Sequence, residues 1–338
     1  MIRNCIPNSS SIDSGDNLTL TLVTGGAGYI GAHVVERLLQ EGHNVRVLDN
    51  LSTGDLERLK GFSIEFSKGD IQDVKVVKEC LEGVENVVHF AASKSVEESV
   101  LNPRKYYLNN YMGTMKFLSV MSESNVKKFI FSSSAAVYEP IKNGLLDENS
   151  PTVPPSPYGK SKLMSERLME SMTCLEAVSF TCLRFFNVIG ASNPNLGDFS
   201  DFNLIPKSLR RIQNGMSPVI NGSSFNTVDG TCVRDYVDVR DVADAHVMAL
   251  SAPQLAWDFE IFNLGSGRGY SVLEILSKLQ EIMGSNLNPI FEDARAGDPP
   301  FLVAECSKIR RVLGWKPRYN LDSMIESSVK SWLSFERS

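Results

Sequence analysis

From residue 18 the chain alternates between two hydrophobic rhythms. LTLTLVT (18–24) is a β-branched apolar run that ends in glycines. YIGAHVVERLLQEG follows, with Ile30, Val34, Val35, Leu38 and Leu39 at helical spacing and Gly42 to close it. HNVRVLDN (43–50) reads as a second strand. Further strands are predicted at 62–67, 86–92, 127–133 and 178–186, with helices near 73–82, 103–124 and 157–173. Strands alternating with helices predict a parallel sheet covered on both faces, a doubly wound α/β (Rossmann) domain whose ligands meet the C-terminal strand ends. Beyond about residue 187, Gly, Pro, Asn and Ser interrupt the rhythm. A strand and helix return at 234–250 and a strand at 260–265. The predicted division is a Rossmann part, 18–187 with 236–263, and a smaller loop-rich α/β lobe for substrate, 188–235 with 264–338.

Composition narrows the classes. A net charge of −6 speaks against a nucleic-acid-binding face. No apolar run reaches the ~18 residues of a membrane span. Residues 1–17, rich in Ser, Asn and Asp, read as a disordered tail without the apolar stretch of a signal peptide. Cys5, Cys80, Cys174, Cys182, Cys232 and Cys306 form no CxxC pair and no cysteine–histidine cluster. That predicts no metal site and a reducing, cytoplasmic compartment.

The turn after the first strand holds Gly25, Gly28 and Gly31 in a GxxGxxG pattern, with Tyr29 and Ile30 opening the helix. Glycines at this spacing let a pyrophosphate approach a helix N-terminus. The strand–turn–helix–strand context makes the pattern specific for a dinucleotide. Asp49 and Asn50 end the second strand, and a carboxylate there accepts from the adenosine ribose and disfavours a 2′-phosphate. The expected cofactor is NAD. Asp70 and Ile71 are expected to flank the adenine, and Phe90, Ala91 and Ala92 to run under the dinucleotide.

SPYGKSK places Tyr158 and Lys162 four apart, and YEPIK repeats the spacing with Tyr138 and Lys142. Pro140 interrupts the second pair, which is therefore the chance one, and Tyr138→Phe is expected to do little. The first pair follows Ser156, a ready N-cap, and Pro157, suited to the first helical position. Its two side chains share a helix face. An ammonium beside the phenol is expected to lower the phenol's pKa, so that Tyr158 exchanges a proton with an alcohol. FIFSSSAAVY brings Ser132, Ser133 and Ser134 to the strand edge where ligands bind.

These segments, with NPRKYYLNN, LRFFNVIGA, DGTCVRDYVDV, NLGSG and RAGDPP in the same order, resemble the extended short-chain dehydrogenase/reductase superfamily, and within it the sugar-nucleotide 4-epimerases. The resemblance runs from about residue 19 to near the end. It implies an NAD-dependent isomerase that inverts C4 of a UDP-hexose (UDP-glucose and UDP-galactose) through a 4-keto intermediate. Tyr158, Lys162 and Ser134 would be catalytic, with Lys162 also on the nicotinamide ribose. Lys94 and Asn109 would contact the cofactor, and Lys94 the substrate as well. Asn187, Asn203, Leu204, Arg234, Arg295 and Asp298 would hold the UDP-sugar, the arginines offering paired donors to its diphosphate. A homodimer through a helical face is implied.

Three positions depart from the pattern: Glu139 replaces a glycine, Phe185 a tyrosine, and Leu302 stands where the pocket meets the sugar's C2 substituent. A residue of leucine's size implies that both UDP-glucose and UDP-N-acetylglucosamine are accepted. The alternatives are an epimerase of UDP-uronates or UDP-pentoses, a 4,6-dehydratase, and a non-catalytic NAD sensor. Ala135 and Ala136 after Ser134 leave no acid–base pair for dehydration.

Overall fold

The structure, a computed structural model, describes residues 19–141, 143–173, 178–253, 258–295 and 298–335. The expected tail, Cys5, Lys142 and Cys174 lie outside them.

The first half builds β1 (Leu20–Thr24), α1 (Tyr29–Gln40), β2 (Asn44–Asp49), β3 (Glu65–Lys68), α2 (Val74–Leu81), β4 (Asn86–His89), α3 (Val96–Leu101), α4 (Pro103–Tyr106), α5 (Gly113–Met121), β5 (Lys128–Ser134), α6 (Pro157–Met172) and β6 (Ser179–Phe185). The second half adds β7 (Asn187–Ile189), α7 (Leu204–Gln213), β8 (Val219–Asn221), β9 (Val233–Asp238), α8 (Val239–Ser251), β10 (Phe259–Leu264), β11 (Gly269–Ser271), α9 (Val272–Met283), β12 (Ile290–Glu292), β13 (Phe301–Leu302), α10 (Ser307–Leu313) and α11 (Leu321–Phe335).

The main sheet has seven parallel strands in the order β3-β2-β1-β4-β5-β6-β10. Successive strand residues point to opposite faces, and both faces are dry. Val23, Val88 and Ile130 pack with Val34, Val35 and Leu38 of α1 and Val242 of α8. Leu22, Val87 and Phe129 pack with Val77 of α2, Phe117 of α5 and Met169 of α6. Strand order reverses between β1 and β4, which opens a crevice at their C-terminal ends.

A second assembly pairs β9 with β7, β11 and β13, and β8 with β12, over a core that includes Leu209, Ile275, Ile325 and Trp332. The expected boundary at residue 236 falls inside β9, all of which pairs in this smaller sheet. The helix expected over 103–124 is broken by a π-helical turn, Tyr107–Met112. There Asn110 turns inward: its side chain accepts from the Ser93 N–H at 2.8 Å and donates to the Ser93 carbonyl at 3.0 Å. The helix thus trades regular bonds for a fastening to the loop after β4.

Candidate active site

A cavity of about 1050 Å³ lies over the β1/β4 crevice, with walls from both halves of the molecule. The glycine turn forms its floor. Gly25 has φ +70°, and a Cβ there would meet Ala91 N at 2.7 Å; one on Gly31 would meet the Gly25 carbonyl oxygen at 2.3 Å. Gly28 caps α1 without a side-chain bond, so the first-turn N–H groups face outward with their partial positive charge. A cradle that any side chain would fill, at an uncapped helix N-terminus, fits a dinucleotide's pyrophosphate.

Asp49 fastens this turn: its carboxylate accepts from Ala27 N–H at 3.0 Å and Leu51 N–H at 2.8 Å. Burial pushes its pKa up and the two N–H groups pull it back. Each oxygen keeps a lone pair for a ribose hydroxyl. Asn50 donates to Asp70 at 3.0 Å, tying the ends of β2 and β3, and Ile71 beside it is buried. Phe90, Ala91, Ala92 and the exposed Lys94 line the cavity after β4. Asn109 also lines it and donates to Ser93 Oγ at 3.1 Å. All of the expected cofactor residues therefore line one cavity.

Tyr158 and Lys162 sit on α6 as the cap signals predict. Ser156 Oγ accepts from Gly159 N–H at 3.1 Å, and Pro157 occupies the first turn. A Cβ on Gly159 would meet the Ala136 carbonyl oxygen at 2.1 Å, so glycine lets α6 press against the end of β5. Tyr158 is half-buried on the cavity wall, near enough to the Ser134 hydroxyl, on the same wall, for that group to oppose the rise in its pKa. Lys162 is buried, with Nζ donating to the Ser132 carbonyl at 2.6 Å and lying 4.8 Å from the Phe131 ring centre.

The structure does not show the expected lowering of the phenol's pKa. Burial raises Tyr158, and only the Ser134 hydroxyl opposes it. The reason is placement: the ammonium rests on the β5 carbonyl. Burial in turn pushes Lys162 down to about 8, while Glu166 one turn along works to raise it.

The expected sugar-nucleotide residues divide. Asn187, Asn203 and Leu204 line the cavity. Arg234, Arg295, Asp298 and Leu302 are not in that wall. Arg234 pairs with Asp298 at 2.5 Å and with its neighbouring Val233 carbonyl at 2.9 Å, so its guanidinium is partly engaged by protein. Leu302 of β13 stands opposite Arg234 of β9 in the strand register. Tyr236, two residues along β9 and therefore on the same face, does line the cavity. Arg295 is exposed and reaches neither the cavity wall nor an ion pair among the described residues. Glu139 is exposed, its N–H donating to the Pro151 carbonyl, and Phe185 is a buried cavity residue beside Phe90.

Several cavity residues carry no local signal in the sequence. Arg58, Asp198 and Phe199 enter from connecting segments, and Phe335 from the end of α11. Only long-range packing brings them here.

Residues 21–265 match the model of the NAD dependent epimerase/dehydratase family. The chain belongs to that family. It is 42% identical over 316 residues to the UDP-glucose 4-epimerase of Lactobacillus helveticus, covering 91% of this chain and 96% of the relative. A solved UDP-glucose 4-epimerase of Stenotrophomonas maltophila, with bound NAD and formylated UDP-arabinopyranose, is similar with TM-score 0.88 and 34% identity over 94% of this chain and 99% of that one. The UDP-Glc/GlcNAc 4-epimerase of Campylobacter jejuni is similar with TM-score 0.80 and 34% identity, over 93% and 98%. The α/β fold and NAD dependence expected from the sequence agree with family membership. Among the described residues no helix is long and apolar enough to cross a membrane.

Proposed function

We propose that this chain is an NAD-dependent isomerase that inverts C4 of a UDP-hexose, interconverting UDP-glucose and UDP-galactose. One observation carries the reading. Tyr158 and Ser134 line the same cavity as the Gly25–Gly31 cradle. NAD, when bound, supplies a reversible two-electron acceptor for the sugar carbon. The chain's own groups do the rest. Tyr158 takes the 4-hydroxyl proton and later returns it to the rotated 4-keto sugar, and Ser134 shares that hydrogen bond. To accept that proton Tyr158 must already be the phenolate; Lys162, fixed by the Ser132 carbonyl, would offer its charge to that phenolate, against the burial that raises the phenol, and its remaining N–H groups to the nicotinamide ribose. Asn187, Asn203 and Leu204 hold the nucleotide side, with the Arg234–Asp298 pair at its margin. NAD would lie against the main sheet, built by residues 20–185 with α8 and β10, and the sugar nucleotide between it and the smaller sheet that contains all of β9. Conversion of UDP-glucose to UDP-galactose, followed by NMR, tests the reading; no conversion by protein that carries NAD overturns it.

The likeness to an enzyme named for both sugars supports acceptance of UDP-N-acetylglucosamine as well, and Leu302 stands opposite Arg234, outside the cavity wall. Separate steady-state rates test this, and no turnover of the acetylated sugar overturns it. Ala135 and Ala136 after Ser134 favour epimerisation over dehydration.

Leu108 at 46% exposed and Met164 at 39% mark an apolar helical face on the π-turn and α6, and α3 beside them presents Leu101. This face supports a homodimer. Light scattering of wild type and Leu108→Glu tests it: the variant is expected to be monomeric. The buried thiols of Cys80, Cys182, Cys232 and Cys306, none in a disulfide, support a reducing, cytoplasmic setting.

A further inference from the structure

Arg58 holds a charge that no close carboxylate pairs. It stands in the short 3-10 turn Leu56–Leu59 after β2, is only 9% exposed, and lines the cavity. Nη1 reaches the Ala27 carbonyl at 3.5 Å and Nη2 the Gly197 carbonyl at 3.3 Å, both long for a charged donor. Nε has no partner. Among the described residues no carboxylate comes within ion-pair distance; Asp55, Asp198 and Asp49 act on Arg58 from farther away. The Phe199 ring lies 5.7 Å from the guanidinium carbon and is itself stacked on Phe335 at 4.0 Å, which walls the group off from solvent. A buried guanidinium with no directly paired carboxylate is costly, and an anion in the cavity would relieve that cost.

The neighbouring chemistry says which anion. Ala27 belongs to the glycine turn, whose cap leaves the α1 N–H groups facing outward. We propose that Arg58 is a ligand to the diphosphate of the bound dinucleotide, acting together with the α1 N-terminus. The proposal rests on the cofactor reading of the glycine turn. A sugar nucleotide offers the same diphosphate chemistry, but the contact with Ala27 favours the dinucleotide. Arg58 also touches Gly197 of the segment leading to α7, so one side chain joins the cofactor turn to the wall of the substrate side. Tight retention of the cofactor follows, as a reaction that oxidises and then reduces one molecule requires.

The test uses purified holoprotein. Bound NAD is quantified, its exchange against excess isotope-labelled NAD is timed, and UDP binding is measured by calorimetry. Arg58→Met and Arg58→Gln are expected to exchange NAD about 10- to 100-fold faster than wild type, the scale of a lost charged hydrogen bond. Arg58→Lys, which keeps the charge and loses the fork, should fall between. UDP affinity should not change. Unchanged NAD exchange in the neutral variants overturns the proposal, and so does a loss confined to UDP, which reassigns the arginine to the sugar nucleotide. Wild-type protein that neither carries nor binds NAD would overturn the cofactor reading itself. If Arg58→Met does not fold, Arg58→Gln and Arg58→Lys carry the comparison.

Discussion

Two tyrosines, each four residues before a lysine, meet different surroundings in this fold. Tyr158 stands half-buried on the cavity wall, which Ser134 shares. Tyr138 is 2% exposed, and its hydroxyl is used twice, donating to Asn263 Oδ1 at 2.6 Å and accepting from Arg184 Nη1 at 2.9 Å. Burial raises the Tyr138 pKa to about 12 despite the guanidinium beside it. Arg184 continues the network: its Nε and Nη2 grip Glu166 at 3.0 and 2.7 Å, and Ser133 Oγ donates to the same carboxylate at 2.5 Å. Glu166 lies one turn beyond Lys162 on α6, so the second tyrosine belongs to the polar framework behind the cavity wall. Tyr138 is thus a structural residue, while Lys142 lies outside the described residues; Tyr138→Phe is still expected to do little to turnover, and its cost falls on stability. A reactive hydroxyl is one that the protein leaves partly unsatisfied toward a cavity; a structural hydroxyl is one it saturates.

The comparison can be broken in order of effect. Tyr158→Phe should lower turnover roughly 10²- to 10⁴-fold, the usual share of a proton-transfer group, while melting temperature and NAD content stay at wild-type values. If Tyr138→Phe is equally slow at equal folded concentration, the distinction fails. Arg184→Met strands a buried Glu166 and should cost about 3–5 kcal/mol in denaturant unfolding. A loss below 1 kcal/mol would mean that the network is not the framework described. Tyr138→Phe leaves Arg184 and Asn263 each short of a partner and should cost about 1–3 kcal/mol, with turnover per folded molecule preserved.

The smallest effect is a pH slope. Lys162 is held at about 8 by burial, below its ordinary value. Between that value and the unfolded lysine's, the unfolded chain binds more protons, so this group makes stability rise with pH. Lys162→Met should therefore lose its stability relative to wild type steadily from pH 8 toward 10. Parallel unfolding curves for the two proteins across that range would contradict the assignment.

The parts visible in the sequence are those whose determinants are local. The glycine turn sits between a strand and a helix within some twenty residues, and α6 announces itself through Ser156 and Pro157. Asp49 is legible because β2 must end there. Tyr138 is not, since its partners are 46 and 125 residues away. Arg58 is equally hidden: Leu56 and Leu59 mark a turn, but the Gly197 contact that buries the guanidinium spans 139 residues. The smaller lobe is less legible for a different reason. α9 carries a full capping box between Ser271 and Glu274, a signal available in the sequence yet masked by the surrounding loop-like composition. α7 begins after Asn203 with no side-chain cap bond, and its apolar face shows only once Leu209 packs on the lobe core.

The connection between β6 and β10 has a consequence for synthesis. These neighbours in the main sheet are separated by the whole β7–α8 excursion. A ribosome must add residues 186–264 before the partner strand exists, which takes roughly 4–16 s at about 5–20 residues per second. During that interval the Phe180–Leu183 stretch offers a bare apolar edge to any other nascent chain. Added chaperone during translation is therefore expected to raise the yield of folded chain.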